Sequence, residues 1–122
     1  MIDKGKLNDA LRKMGSENVK EQYRRDWSPE RPTTGFCYVV AEVVFHYCAP
    51  NGSQSYRMET GPTTSHWFIK TPDGTIIDLT ADQFDKALDY TKGVATQFRT
   101  QHPSKRAQIL AELLGLSKPD GA

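Results

Sequence analysis

Three side chains that could carry out nucleophilic chemistry occur in the order Cys37, His66 and Asp78. A thiolate is a strong nucleophile, an imidazole can take up and return a proton, and a carboxylate can hold the imidazole in one tautomer. Such a set can attack the carbonyl carbon of an amide and carry the acyl group as a thioester. The sequence therefore predicts a Cys-His-Asp triad that acts on an amide or peptide bond without a cofactor.

A helix over residues 36–48 is expected to position Cys37. Its large apolar side chains recur at i, i+3, i+4, i+7, i+8 and i+11, which is helical spacing. They are Phe36, Val39, Val40, Val43, Val44 and Tyr47. The valines also favour a strand, but the segment is long for a strand. Cys37 then lies at the helix start, where unpaired N–H groups and the helix dipole favour the thiolate and can bind an oxyanion.

A predicted hairpin positions the other two residues. Residues 65–70 and 75–78 have strand-like composition and flank a Pro-Asp-Gly turn. Pairing about that turn leaves Asp78 within a residue or two of His66 on the neighbouring strand. A further strand over residues 54–60 would complete a sheet of about three strands. We expect His66 and Asp78 on the sheet face toward the helix.

The fold class that follows is α+β: a central helix carrying the cysteine packed on a small antiparallel sheet, with flanking helices from both termini. Apolar residues at helical spacing predict helices over residues 3–14 and in the segment after Pro103. A frayed tail is expected after the second helix, at 118–122. Thr80, with a glutamine three residues later, resembles a capping box and predicts another helix. Residues 91–102 have the composition of a polar loop.

A chain of 122 residues is expected to form a single domain over residues 1–122. The Cys-His-Asp core is expected at about 26–116, preceded by an N-terminal helical segment at 1–25. The formal net charge of +1 is small, so nucleic-acid binding is not expected.

The sequence also indicates the cellular compartment in which the chain is expected. No apolar run approaches the roughly 18 residues of a membrane span, and the first residues lack a signal-peptide pattern, so no membrane association is expected. Cys37 and Cys48, about 16 Å apart along a helix, are too distant for a disulfide. A reducing cytoplasm is therefore the expected compartment.

One stretch is similar to known cysteine enzymes: HWFIKTPDGTIIDLT, at 66–80, resembles the His strand and Asp strand of papain-like and transglutaminase-like proteins. The layout of about residues 26–116 is closer still to the small bacterial YunG-like family. The shared features begin with a Trp-x-Pro-x-x-Pro loop and end with an arginine that precedes an apolar helix. The residues that match are Trp27, Pro29, Pro32, Gly35, Cys37, His66, Trp67, Asp78, Leu79, Thr80, Gln83, Phe84 and Arg106–Leu114. The resemblance departs at Phe36, where a polar residue, often Gln, is expected. It implies a papain/transglutaminase-like core in which the three residues form the triad.

Four further residues are expected around the thiol. Gln22 is a candidate for the second oxyanion donor, and Gly35 lies in the loop that leads to Cys37. Trp27 and Trp67 could wall a substrate cleft, or could equally be core aromatics.

Three functions fit these residues. The first is a thiol hydrolase or acyl/amide transferase acting on a protein or peptide substrate, as a monomer or small homo-oligomer. The alternative is a non-catalytic protein-binding module or inhibitor that keeps the fold, in which the cysteine is an inert core residue. The third is a metal site built from Cys37, His66 and Asp78, which lacks the short ligand spacing typical of zinc sites. The chain order and the position of Cys37 favour the first, and no metal is expected.

Overall fold

The computed structural model describes residues 2–117, which form an α+β fold. Its helices are α1 (Lys4–Met14), α2 (Glu21–Arg24), α3 (Cys37–Val43) and α4 (Lys105–Leu113), with short 3-10 turns at Ser16–Asn18, Ala81–Gln83 and Tyr90–Lys92. Its strands β1 (Gln54–Glu59), β2 (Ser65–Lys70), β3 (Ile76–Ile77) and β4 (Val94–Ala95) form one antiparallel sheet in the order β3-β2-β1-β4. The predicted class is confirmed, and the frayed tail expected at 118–122 lies outside the described residues. Within residues 2–117, no helix is both long and apolar enough to cross a membrane.

The helical run that carries Cys37 has the predicted apolar face. The buried members of that face are Phe36, Val39, Val40, Val43 and Val44, and the half-buried member is Tyr47. The helix α3 continues into a π-helix over Val44–Cys48, where Ala49 N donates to Val44 O at 2.7 Å. Pro50 lacks a backbone N–H and disfavours helical geometry at Ala49, so the run ends there. The helix predicted over residues 36–48 is confirmed, with its last turn widened.

Helices α1 and α4 pack with α3 into one core that also takes in Ile69 of β2. Leu7, Leu11 and Leu110 are fully buried in it. Burying each such side chain stabilises the fold by about 1.5–3 kcal/mol relative to leaving it exposed. Both predicted flanking helices are therefore present, and Ser104 caps the second.

Strand alternation gives the sheet two different faces. Trp67 packs against α3, whereas His66 lies on the opposite face, where Phe84 contacts its ring edge-to-face at 4.9 Å. The prediction that His66 faces the helix is therefore wrong, because successive strand residues point to opposite sides. The strand and the helix start meet instead at the end of the sheet, where the Cys37 thiol donates to Ser65 O at 3.8 Å.

The helix predicted after Thr80 does not form. Only the single 3-10 turn Ala81–Gln83 is present, and Phe84 is already extended. The Gln83 side chain does not cap a helix, because its Oε1 accepts a hydrogen bond from Gly35 N at 3.2 Å. A long-range contact thus overrides the local propensity.

The polar loop predicted at 91–102 contains β4. Its residues Val94 and Ala95 pair with Arg57 and Tyr56 of β1. A strand of two residues is too short to show the alternation by which strands are predicted, so the sheet has four strands where about three were expected.

We expect Gly35 to tolerate no side chain. Its φ is +79°, and a Cβ there would lie 2.4 Å from Val19 Cγ1 and 2.9 Å from Tyr23 Cβ. Gly35→Ala should lower the free energy of unfolding by about 3 kcal/mol, because strained backbone and steric overlap add together. Urea denaturation measures this change.

Gly74→Ala is the matched control. Gly74 has a similar φ of +89°, but no described heavy atom lies within 4 Å of the added Cβ. This variant should lose only about 1 kcal/mol, the cost of the left-handed conformation. Equal losses for the two variants would contradict the steric role of Gly35.

Candidate active site

A buried ion pair joins two of the three predicted triad residues. His66 Nε2 lies 2.7 Å from Asp78 Oδ2, and the two side chains are 0% and 3% exposed. Strands β2 and β3 pair Ile69 with Ile77. Continued along the chain, this register makes Asp78 the diagonal neighbour of His66 on one sheet face. The predicted proximity of the two residues is confirmed.

Both carboxylate oxygens of Asp78 accept further hydrogen bonds. Tyr90 Oη donates to Oδ2 at 2.7 Å, and Thr80 donates to Oδ1 from its backbone N at 3.2 Å. Burial alone would raise the pKa of Asp78. The hydrogen bond and charge of His66 outweigh burial, together with the hydrogen bonds from Tyr90 and Thr80, and hold the pKa of Asp78 below its ordinary value. Burial and the carboxylate raise the pKa of Tyr90, so its hydroxyl remains a donor. No sequence pattern pointed to Tyr90, which lies in an irregular segment.

The neighbours of His66 determine which of its nitrogens carries the proton. An ionised carboxylate can only accept, so Nε2 carries a hydrogen and Nδ1 is the basic nitrogen of the neutral ring. Burial lowers the pKa of His66, but the hydrogen bonds and charges of Asp78 and Cys37 outweigh burial and raise it to about 9. The imidazolium is therefore favoured at neutral pH.

The cysteine opens onto a cleft. Cys37 is the first residue of α3, is 8% exposed, and lines a cavity of about 410 Å³ together with Gly35 and Thr34. Thr34 Oγ1 is buried and has no hydrogen-bond partner among the described residues. Buried polar atoms are rarely left unpaired, so this hydroxyl is one that a bound molecule can satisfy. Cys37 and Cys48 are both free thiols, as predicted.

Gln83 reaches the site, although its spacing from Thr80 predicted a capping role. Its Oε1 is fixed by Gly35 N, and its Nε2 lies 3.5 Å from His66 Nδ1. The same side chain lines the cleft beside Cys37. The Nε2 amide group carries two hydrogens, and because Nδ1 of the imidazolium is also a donor, both are free to reach a molecule in the cleft. The one signal in the sequence was the place of Gln83 in the Asp-Leu-Thr-x-x-Gln-Phe motif.

Three residues predicted for the cleft are not among those that line it. Trp27 Nε1 donates to Pro32 O at 2.9 Å and anchors its own loop. Trp67 lies in an aromatic cluster on the α3 side of the sheet. Gln22 Nε2 donates to Thr63 O at 3.3 Å and ties the segment before α3 to the β1–β2 connection.

The three triad residues do not surround a common point. His66 Nε2 bonds to Asp78, and Cys37 is close enough to His66 to contribute to the raised pKa of the ring. Within residues 2–117, no group of three His, Cys, Asp or Glu side chains is close enough to hold a metal ion. For this part of the chain, the metal-site interpretation has no support.

The buried pair predicts a pH-dependent stability. The pKa of His66, about 9, exceeds its ordinary value of 6.5, so its stabilisation is complete below about pH 6.5 and is lost as pH rises through 9. The lowered pKa of Asp78 has the opposite sign, and its stabilisation is lost as pH falls below the ordinary value of 3.8. Urea denaturation should therefore show the free energy of unfolding falling from pH 6.5 to 9.

Asp78→Asn should flatten this fall and lower stability near pH 6 by about 3 kcal/mol, because it leaves a buried histidine without its counter-charge. His102→Gln, in the exposed loop before α4, is the control and should keep the wild-type profile. A wild-type profile that is flat from pH 6.5 to 9 would show that the pair is not ionised as described.

Comparison with known proteins gives one match. The family described as YunG protein matches residues 3–115 of the 122-residue chain. No curated protein and no solved structure matches the chain. The matched segment takes in α1, which shares the core of α3 and α4, as well as the strands that carry His66 and Asp78. The chain belongs to the YunG protein family.

Proposed function

We propose that this chain is a cysteine hydrolase or acyl/amide transferase with a papain- or transglutaminase-like core, acting on amide or peptide bonds in a protein or peptide. The observation that carries the proposal is the buried His66 ring, which Asp78 holds at Nε2 and which is close enough to Cys37 for that residue to help raise the pKa of the ring. Burying a charge pair is costly, and an inert core cysteine would not need one beside it. A thiol paired with an oriented base on a cleft is the arrangement of an activated nucleophile.

In the proposed acylation step, the Cys37 thiolate attacks the substrate carbonyl carbon. A C–S bond forms, and the carbonyl oxygen becomes an oxyanion. The imidazolium of His66 gives its Nδ1 proton to the leaving nitrogen, and the C–N bond breaks as the oxyanion collapses. This releases an amine and leaves a thioester on Cys37 and a neutral imidazole, while Asp78 stays ionised and keeps the ring oriented.

Deacylation reverses the proton transfer. Water or an amine attacks the thioester carbon, and Nδ1 of His66 accepts the proton of the attacking group. Collapse of the second oxyanion breaks the C–S bond and restores the thiolate and the imidazolium. The product is a carboxylic acid when water attacks and a new amide when an amine attacks.

Two donors lie where the oxyanion would form. The backbone N–H of Cys37 belongs to the first turn of α3, whose N–H groups have no partner within the helix. Gln83 also lines the cleft, and its oxygen is anchored by Gly35 N, which leaves Nε2 as a donor. Fixed donors of this kind stabilise the charge that develops in acyl transfer. We assign the second oxyanion donor to Gln83 in place of Gln22.

The lining of the cleft supports a peptide-like substrate. Its residues include Asp26, Arg31, Thr60 and Thr64, besides the unpartnered Thr34 hydroxyl. Pockets for drug-like molecules are mostly apolar, whereas a peptide backbone offers one donor and one acceptor at almost every residue. A cleft of about 410 Å³ beside the thiol that offers these polar groups therefore suits a short stretch of extended peptide.

Acylation by p-nitrophenyl acetate tests the proposal. We expect a burst of about one equivalent of p-nitrophenolate per chain, and intact-mass and peptide mapping should place one acetyl group on Cys37. Cys37→Ala should abolish the burst, and His66→Ala should slow it at least about 100-fold near neutral pH. Added glycine amide would then distinguish acyl transfer from hydrolysis by its acetylated product.

Cys48 is the internal control for this experiment. Burial raises the pKa of the Cys48 thiol, so this residue should stay unmodified at neutral pH, and Cys48→Ala should retain the burst. A folded wild-type chain whose Cys37 is not acylated would overturn the proposal and leave the non-catalytic binding module as the explanation of the fold.

The role of Gln83 has its own test. Gln83→Ala should lower the acylation rate by about 100-fold, the usual effect of removing one oxyanion donor, with little change in the pH profile. Gln22→Ala is the matched control, since it also removes an amide near the site, and it should keep most of the rate. Similar losses in both variants would assign the effect of Gln83 to loop packing.

A further inference from the structure

Four basic side chains lie on segments that border α3, and none of them is among the residues that line the cleft. Arg57 of β1 pairs across the sheet with Trp67, and the Trp67 ring packs on Tyr38, the residue after the cysteine, with ring centroids 4.9 Å apart. The Arg99 guanidinium carbon lies 5.9 Å from the centre of the Tyr38 ring, and Arg99 N donates to Tyr38 Oη at 2.8 Å. Of the four cations, Arg99 thus contacts this aromatic pair, and Arg57 lies next to it across the sheet.

The other two cations approach from different segments. Lys20 follows Val19, whose side chain is packed against Gly35 in the loop before Cys37. Arg106 lies in the first turn of α4, which packs on α3. We call Lys20, Arg57, Arg99 and Arg106 the cationic patch.

The electrostatics agree with this placement. Burial and the charges of Arg99, Arg106 and Arg57 lower the pKa of Lys20, and only the charge of Cys37 acts in the other direction. All four cations are exposed, and none forms a salt bridge within residues 2–117. Four like charges repel one another, so this grouping lowers stability unless a counter-charge binds.

We propose that the cationic patch binds an acidic side chain of the peptide substrate, a few residues from the bond that Cys37 attacks. This inference rests on the proposed function and extends it to a substrate class, peptides with Asp or Glu near the reacting amide. Arg99 contacts the residue that follows Cys37 and no member of the patch lines the cleft, so a peptide that lies over Cys37 can reach both.

An acidic peptide fits this patch better than a nucleic acid does. The chain as a whole has 16 basic and 15 acidic residues, so the positive charge is local rather than general. Nucleic-acid binding draws on neutralisation of many phosphates along a groove or face, which four cations provide only weakly. One or two carboxylates match the size and charge of the patch, and arginine binds carboxylates in bidentate fashion.

Reactive peptides with matched charges test the inference. Chloroacetyl peptides and acetyl-peptidyl chloromethyl ketones extend from the thiol in opposite directions, and both form a C–S bond to Cys37 with loss of chloride. In each series, Glu or Gln is placed at the first, second or third residue from the reactive group. The rate of alkylation is followed by intact mass at about 20 mM and about 300 mM NaCl, where screening differs strongly.

We expect at least one Glu probe to react about tenfold faster than its Gln counterpart at low salt, with the difference shrinking at high salt. The double variant Arg57→Gln/Arg99→Gln should remove the difference but keep the rate of the Gln probe. The bond from Arg99 N to Tyr38 is a backbone bond, so it survives this change. The control double variant Lys6→Gln/Lys13→Gln, on the exposed side of α1, should keep the preference for Glu.

The other outcomes overturn the proposal in distinguishable ways. Equal rates for all Glu and Gln probes, or a preference that persists in the Arg57/Arg99 variant, would reject the patch as an acid-binding site while leaving the thiol chemistry intact. A folded chain that no probe alkylates would reject the proposed function together with this inference. Salt-sensitive binding of labelled oligo-deoxythymidine, lost in the Arg57/Arg99 variant and without any preference for Glu, would make the patch a nucleic-acid surface.

Discussion

The structure depends on one charge pair that is removed from water, His66 with Asp78 at 2.7 Å. Taking two ions out of water costs several kcal/mol for each, and their attraction offsets this only when the remaining polar atoms are also bonded. Tyr90 and Thr80 supply those bonds to the carboxylate, and Phe84 covers an edge of the imidazole. Contacts with the His66–Asp78 pair, rather than local helix propensity, therefore determine the conformation of the chain from Thr80 to Tyr90.

The helix that carries Cys37 is held by a second buried carboxyl side chain. Glu42 of α3 is fully buried, and its two oxygens accept hydrogen bonds from the N–H and the hydroxyl of Ser104 at 2.8 and 2.7 Å. Burial raises the pKa of Glu42 even though the Ser104 bonds lower it. Because Ser104 also caps α4, one residue joins the helix of Cys37 to the C-terminal helix. The close packing of Val19 and Tyr23 against Gly35 also constrains the loop that leads into the same helix.

The sequence predicted those parts of the fold that obey local rules. Helical spacing located the run that carries Cys37, and the short turn of a hairpin determined which residues of β2 and β3 become neighbours. The contributions of Gln83 and Tyr90 could not be predicted in this way, because they depend on where an irregular segment crosses the sheet. Phe36 illustrates the same limit: the family resemblance implied a polar side chain there, but Phe36 is fully buried in the core and the amide beside the thiol comes from Gln83. The presence of a tryptophan at position 27 likewise did not predict whether its side chain lines a cleft or anchors a loop.

The complete burial of His66 has a consequence for how protons enter and leave the site. The ring is 0% exposed and is not part of the cleft lining, and its Nε2 is covered by Asp78. Bulk solvent therefore has no direct contact with the imidazole, and Nδ1 lies 3.5 Å from Gln83 Nε2, which lines the cleft. In the proposed reaction, a proton therefore passes between the imidazole and a molecule in the cleft only at Nδ1, because Asp78 occupies the other nitrogen.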